Sequence, residues 1–300
     1  MNATLAQSTT GGMSARDLGF VLLMNIAWGS NFVTSKYAVT ELPPIFTAGT
    51  RFLIVALVCL PWLKPLYGRM RPVLTLGFLM GCLHFALMFL ALSMSKKVSG
   101  LAIIAQLGVP MAVLMAVVLL KERIGMWRIG GITMAFCGAV VLGFDPDIFQ
   151  DLAAVSVMLG AVAVMSYCAI LMRNLKGVAP LELQAWTGTI SVLPLLGLSA
   201  LVERDVYAMI PQASLVAWGA VVYSALVSSV IAHAINFYLL QRYPVSTVAP
   251  YSLIAPVIGV SLAIMVFGDA MTPQLIIGGL VTLGGVMIVT LRGVGKAAGG

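Results

Sequence analysis

The side chains able to do chemistry in this chain lie inside stretches that are otherwise apolar, and that setting narrows what they can do. Trp28 and Asn31 stand one helical turn apart, and Arg51 falls in the next apolar stretch. His84 and His233 are the only histidines, and Asn236 follows His233 on the same helical face. A polar group in hydrocarbon is costly unless it meets a partner or an aqueous cavity. Asn31 therefore either hydrogen-bonds a carboxylate or amino group of a bound molecule, with the Trp28 indole packing on it, or makes an interhelical hydrogen bond. Arg51 either grips a carboxylate with its forked guanidinium or serves structure, by snorkelling or by pairing with Glu41 or an aspartate. The histidines either line a path and sense or carry protons, or sit neutral on one hydrogen bond to a neighbouring helix. Lys36, at the end of the first apolar stretch, reads as an interfacial anchor.

Two backbone features repeat. Gln106 and Ser252 each stand four residues before a proline, Pro110 and Pro256. A helical proline removes one backbone hydrogen bond and crowds the carbonyl four residues back, so both carbonyls need another donor. The prolines are read as paired hinges or as kinks that shape packing. Tyr167 and Tyr251 complete a candidate binding set of Trp28, Asn31, His84, Gln106, Tyr167, His233, Asn236 and Tyr251.

The missing chemistry is equally informative. None of the ten Asp and Glu residues falls in the middle of an apolar stretch, which speaks against a proton antiporter built on a buried carboxylate. Cys59, Cys82, Cys137 and Cys168 sit in apolar segments without metal-ligand spacing and read as small packing residues, so no metal site is expected. A phosphate loop is absent, and so are clustered acids or a nucleophile–base pair. Neither a catalytic residue nor a cofactor is expected, and a membrane enzyme is disfavoured.

The elements that must position these residues follow from composition. Hydrophobic residues make up 61% of the 300, charged residues 9%, and the mean hydropathy is +1.06. A soluble surface cannot be built from so little polar matter, so the chain reads as an all-α integral membrane protein in contact with a lipid bilayer. Strict alternation of apolar and polar residues is missing, which disfavours a β-barrel. Ten apolar spans are predicted, at 17–37, 46–63, 73–93, 98–120, 127–144, 152–172, 183–201, 214–240, 247–267 and 273–291. Residues 1–16 and 292–300 form short tails, and the polar start speaks against a cleaved signal peptide.

The net charge of +7 fits basic cytoplasmic loops better than a nucleic-acid partner. Twelve of the seventeen Lys and Arg residues fall on one side if the N-terminus is cytoplasmic, and most acidic residues then face outward. Both termini are expected on the cytoplasmic side of the cell membrane. Glu122 and Asp269 read as solvated loop charges at opposite faces.

The chain also repeats itself. Val98-Ser99-Gly100 to Pro110 and then Ile129-Gly130-Gly131 return as Val245-Ser246-Thr247 to Pro256 and then Ile277-Gly278-Gly279, at offsets of 146 to 148. Residues 17–144 and 152–291 therefore form two five-helix repeats. Five is odd, so the second repeat must enter the membrane inverted, the symmetry expected of an alternating-access carrier with its site between the repeats. Gly77 with Gly81, and the glycine pairs 130–131 and 278–279, read as close-packing seams within the chain or in a homodimer.

The run Trp28-Gly29-Ser30-Asn31-Phe32, with Lys36, Pro43-Pro44 and Arg51-Phe52, resembles the opening of the EamA type of the drug/metabolite transporter superfamily. Leu120-Lys121-Glu122-Arg123 with Gly130-Gly131, and Phe267-Gly268-Asp269 with Gly278-Gly279, are similar to the ends of that family's two repeats. The stretch from Tyr243-Pro244 through Tyr251 to Val257 is similar to bacterial exporters of cysteine and O-acetylserine. Met165 stands where the resemblance implies a second aromatic, and Asp269 where it implies a glutamate. The resemblance implies ten helices in two inverted repeats in the cytoplasmic membrane, exporting a small-molecule metabolite such as an amino acid. A multidrug cargo is the alternative, disfavoured because a desolvated cation wants a buried carboxylate.

Overall fold

The computed structural model describes residues 13–121, 124–144, 151–173, 175, 177–203, 206–242 and 248–291. The ends of the chain (1–12 and 292–300), Glu122, Arg123, Asp145, Asp147, Lys176, Arg204, Asp205 and the repeated Val245-Ser246-Thr247 lie outside the described residues.

Water is absent from hydrocarbon, so a spanning chain must satisfy its own backbone, and the described residues do so with helices throughout. Among the described residues eight helices are long and apolar enough to cross a membrane, and Met126–Leu142 and Tyr251–Phe267 are shorter apolar helices. In chain order they are α1 (Ala15–Glu41), α2 (Pro44–Cys59), α3 (Met70–Met94) and α4 (Val98–Ile104, a 3-10 turn Ala105–Leu107, then Gly108–Leu120). There follow α5 (Met126–Gly143), α6 (Leu152–Arg173), α7 (Pro180–Val202) and α8 (Leu215–Tyr223, a π segment Ser224–Ala232, then His233–Arg242). The chain closes with α9 (a 3-10 turn Ala249–Leu253, then Ile254–Phe267) and α10 (Pro273–Leu291). The expected spans fall on these helices with ends moved by a few residues. The first, expected at 17–37, runs to Glu41, because nothing before Pro43-Pro44 stops it. The short helices are those expected as the fifth and ninth spans.

Packing follows a simple pattern. The α5 helix lies along α10 and α2 along α7, while α1 packs on α8 and α9, and α6 on α3 and α4. Between α5 and α10 the backbones meet through glycine. A Cβ on Gly138 would strike Thr282, and one on Gly285 would strike the backbone of Ala135. Gly77 and Gly81 face Thr187, Ile190 and Ser191 of α7, so these small-residue seams lie inside the chain. Gly130 instead faces open space. The outside of the bundle is apolar: Leu193, Leu201 and Leu215 are 82%, 83% and 90% exposed, as a lipid-facing surface requires. Cys59, Cys82 and Cys168 are buried as packing residues, but Cys137 is exposed, because its face of α5 points away from α10.

The ends of α4 and α9 also match. Lys121 (φ 53°) and Gly268 (φ 69°) are both left-handed C-caps. Only the second carries the residue that this conformation favours. We predict that Lys121→Gly stabilises the chain by about 1 kcal/mol. Gly285→Val should cost about 1–3 kcal/mol through overpacking, whereas Gly130→Val should be near neutral. Thermal unfolding in detergent checks all three.

Candidate functional site

Arg51, near the middle of α2, is 1% exposed. Its Nε and Nη2 donate to Ser229 Oγ at 3.0 and 2.8 Å, and its Nη1 donates to Ser224 Oγ at 2.6 Å. Ser224 Oγ in turn donates to Asn31 Oδ1 at 2.8 Å, so one hydroxyl joins α1, α2 and α8. The two serines reach one guanidinium because they lie in the π segment, whose i→i+5 winding stacks residues five apart. Phe85 of α3 lies over the guanidinium, 4.2 Å from Cζ to ring centroid, with Phe52 and Phe89 at 6.0 and 5.8 Å.

The histidines flank this cluster. Helix α3 carries its own π segment, Phe78–His84, so α3 and α8 share the same irregularity at their histidines. His84 Nδ1 bonds the Ala161 carbonyl of α6 at 2.8 Å, and its ring meets Phe85 edge-on at 4.8 Å. His233 Nδ1 bonds the Ser228 carbonyl at 2.9 Å, and its ring meets Trp28 edge-on at 5.5 Å. The Trp28 indole N–H is buried with no hydrogen-bond partner among the described residues.

Four carboxylates, Glu41, Asp151, Glu203 and Asp269, do different work at one end of the bundle. Pro43 and Lys97, at the N-caps of α2 and α4, provide no side-chain cap, and acids from elsewhere replace them. Glu203 at the end of α7 accepts from Ile45 N and Phe46 N at 2.7 and 2.9 Å. Asp269 after α9 accepts from Ser99 N at 2.8 Å. Glu41 at the end of α1 accepts from Ser214 N and Oγ, at 2.6 and 2.8 Å, before α8. Asp151 before α6 holds Ser95 Oγ at 2.7 Å and Lys96 N at 2.6 Å. Anions belong at helix N-termini, and these hydrogen bonds are charge-assisted. Several expectations are corrected here. Glu41 does not pair with Arg51, Asp269 is 5% exposed and not solvated, and Lys36 donates to Leu92 O and Ser95 O at the end of α3 instead of anchoring in headgroups. Burial between helices makes each backbone end a better partner than water.

One family model, the EamA-like transporter family, matches residues 17–144 and again 152–291. The chain belongs to the EamA-like transporter family. It is a multi-pass membrane protein and a transporter by family. Relatives named probable amino-acid metabolite efflux pumps, from Salmonella typhimurium and Escherichia coli, are each 26% identical, covering 92% and 93% of this chain and 95% and 94% of theirs. A probable terminal-alkyne amino-acid exporter of Streptantibioticus cattleyicolor is 27% identical over 62% of this chain and 61% of its own. A solved crystal structure shares the fold at a TM-score of 0.63 and 19% identity, covering 93% of this chain and 98% of that one.

Of the residues chosen in this EamA chain, Asn31 and Arg51 share Ser224, Trp28 meets His233, and His84 adjoins the Phe85 ring over Arg51. Tyr251 packs in the same apolar cluster as Trp28. Asn236 and Gln106 are half-buried, Asn236 one turn beyond His233 and Gln106 in the 3-10 turn of α4. Tyr167 is 39% exposed and lines a shallow groove with Leu114, Met115, Val118 and Leu119. Pro110 and Pro256 are buried, each just past a 3-10 turn. Sequence reasoning missed Ser224, Ser229, Phe85 and Asn25. Two adjacent serines, Ser228 and Ser229, in an apolar span were the available signal. Asn25, fully buried, accepts from Ala255 N beside Pro256 at 3.1 Å, a contact between α1 and α9 that no local pattern announces.

Ser224→Ala should cost about 1–3 kcal/mol, because it strands buried polar groups of both Arg51 and Asn31. Ser156→Ala, which removes only an exposed hydroxyl bonded to its own helix at Leu152 O, should stay within about 0.5 kcal/mol. Thermal unfolding in detergent separates them.

Proposed function

We propose that this chain exports small amino acids or their derivatives by alternating access between two inverted five-helix repeats, residues 17–144 and 152–291, with both termini cytoplasmic. The observation that carries the reading is the polar cluster of Asn31, Arg51, Ser224 and Ser229, buried where helices of both halves meet. A site between repeats is the place from which rocking of one half on the other can expose a cargo to either side.

The packing supports the inversion. Exchanging each helix with the one five places later turns the α1 contacts with α8 and α9 into the α6 contacts with α3 and α4. The α5–α10 and α2–α7 pairs map onto themselves under the same exchange. At the carboxylate end, α1 finishes with Glu41 and α6 starts at Asp151, which supports counterpart helices running in opposite directions. The charge bias supports this end as the outer one. There Glu41, Glu203 and Asp269 tie the halves together, which fits a carrier closed to the outside. The names of the two efflux pumps and of the amino-acid exporter support the cargo class. Trp28, Asn31, His84 and His233 would line the path, joined by Gln106, Tyr167, Asn236 and Tyr251 as it opens, with Pro110 and Pro256 as hinges.

Counterflow in proteoliposomes, with labelled cysteine, O-acetylserine, threonine and aromatic amino acids, tests the reading. Saturable counterflow of one member is expected, with the apparent KM raised about tenfold or more by Asn31→Ala. Absence of flux for every member, from folded protein, would remove the amino-acid assignment.

A further inference from the structure

We propose that Arg51 is the group that binds the carboxylate of the cargo, and that Ser224 and Ser229 hold its place while the site is empty of anion; the proposal rests on the export reading for the cargo class. Arg51 is a permanent cation with 1% exposure, and among the described residues no acidic side chain pairs with it. The described acids Asp17, Glu41, Asp151, Glu182, Glu203 and Asp269 sit at helix ends. A guanidinium removed from water without an anion is a poor stabilising device, since neutral hydroxyls do not repay its desolvation. Its burial therefore needs another account, and an anionic guest supplies one.

The geometry fits that guest. Three of the five guanidinium N–H donors are used, one on Nε and one on each terminal nitrogen. Among the described residues one N–H on each of Nη1 and Nη2 remains, so the guanidinium has donors to offer an anion. Nε and Nη2 both point at the single oxygen of Ser229, the edge on which a carboxylate would place two. Phe85 holds the guanidinium plane from one face, so the fork keeps its aim. The π winding of α8 brings the serines in, and π segments recur at functional sites. A second buried donor, the Trp28 indole N–H, is without a partner among the described residues one turn from Asn31, whose Oδ1 supplies an acceptor. A zwitterion or monoanion with a free carboxylate suits this set: two donors for the anion, a further N–H for a ligand oxygen, and an amide oxygen for an amine.

The test separates binding from transport. Purified chain in detergent is melted with cysteine, O-acetylserine, threonine and aromatic amino acids, and with the matching carboxamides. The wild type should be stabilised by at least one free acid, with the amide binding about tenfold or more weakly. Arg51→Gln should lose the response to the acid while keeping any response to the amide, and Arg51→Lys should keep part of it, because a point charge replaces the fork. If Arg51→Gln does not fold, Arg51→Lys and Ser229→Ala, which retain the charge, carry the comparison: both must still favour acid over amide. Equal binding of acid and amide by the wild type, or full discrimination in Arg51→Gln, overturns the proposal. So does the lack of any acid-dependent shift. Acid binding without counterflow would instead defeat the export reading and leave the Arg51 site standing.

Discussion

Hydrocarbon offers no hydrogen bonds, and that single constraint organises this molecule. Every helix end and every polar side chain inside the bundle must find a protein partner or a guest. The chain answers at three levels. Helices satisfy their own interiors. Acids from one half cap helices of the other, with Glu203 on α2, Asp269 on α4 and Glu41 before α8. At the centre, hydroxyls, an amide and aromatic faces surround one guanidinium.

These levels are connected. The inter-half caps act on helix N-termini, where backbone N–H groups are free and the macrodipole favours negative charge. They therefore hold the halves together at one end without occupying the middle. The middle is left to irregular winding: π segments in α3 and α8, and 3-10 turns in α4 and α9 before buried prolines. Where an α-helix leaves ladder positions unfilled, side chains such as Asn25 supply the missing partner.

The α5–α10 pair stands apart from that machinery. Its glycines bring two backbones into contact, and its outer faces are apolar. Close backbone packing holds it, with Thr282 Oγ1 donating to Ala135 O at 3.4 Å and Arg128 Nε to Val289 O at 3.5 Å across the pair, and such packing drives helix association where lipid competes equally for apolar surface.

Hydropathy alone was enough to read the membrane class and the helical rods, because span length and backbone satisfaction leave a chain this apolar few alternatives. The costly polar residues Asn31, Arg51, His84 and His233 were legible for the same reason: a polar side chain in an apolar run must have a use. Their partners were not legible. Ser224 and Ser229 meet Arg51 only because α8 winds as a π segment beside α2, and Phe85 covers the guanidinium only because α3 packs on the same side. Nor could charge pattern tell that Asp269 and Glu41 would cap distant helices in place of lying in water. Local sequence sets which groups need partners; the crossing of helices far apart in the chain decides which partner each one finds.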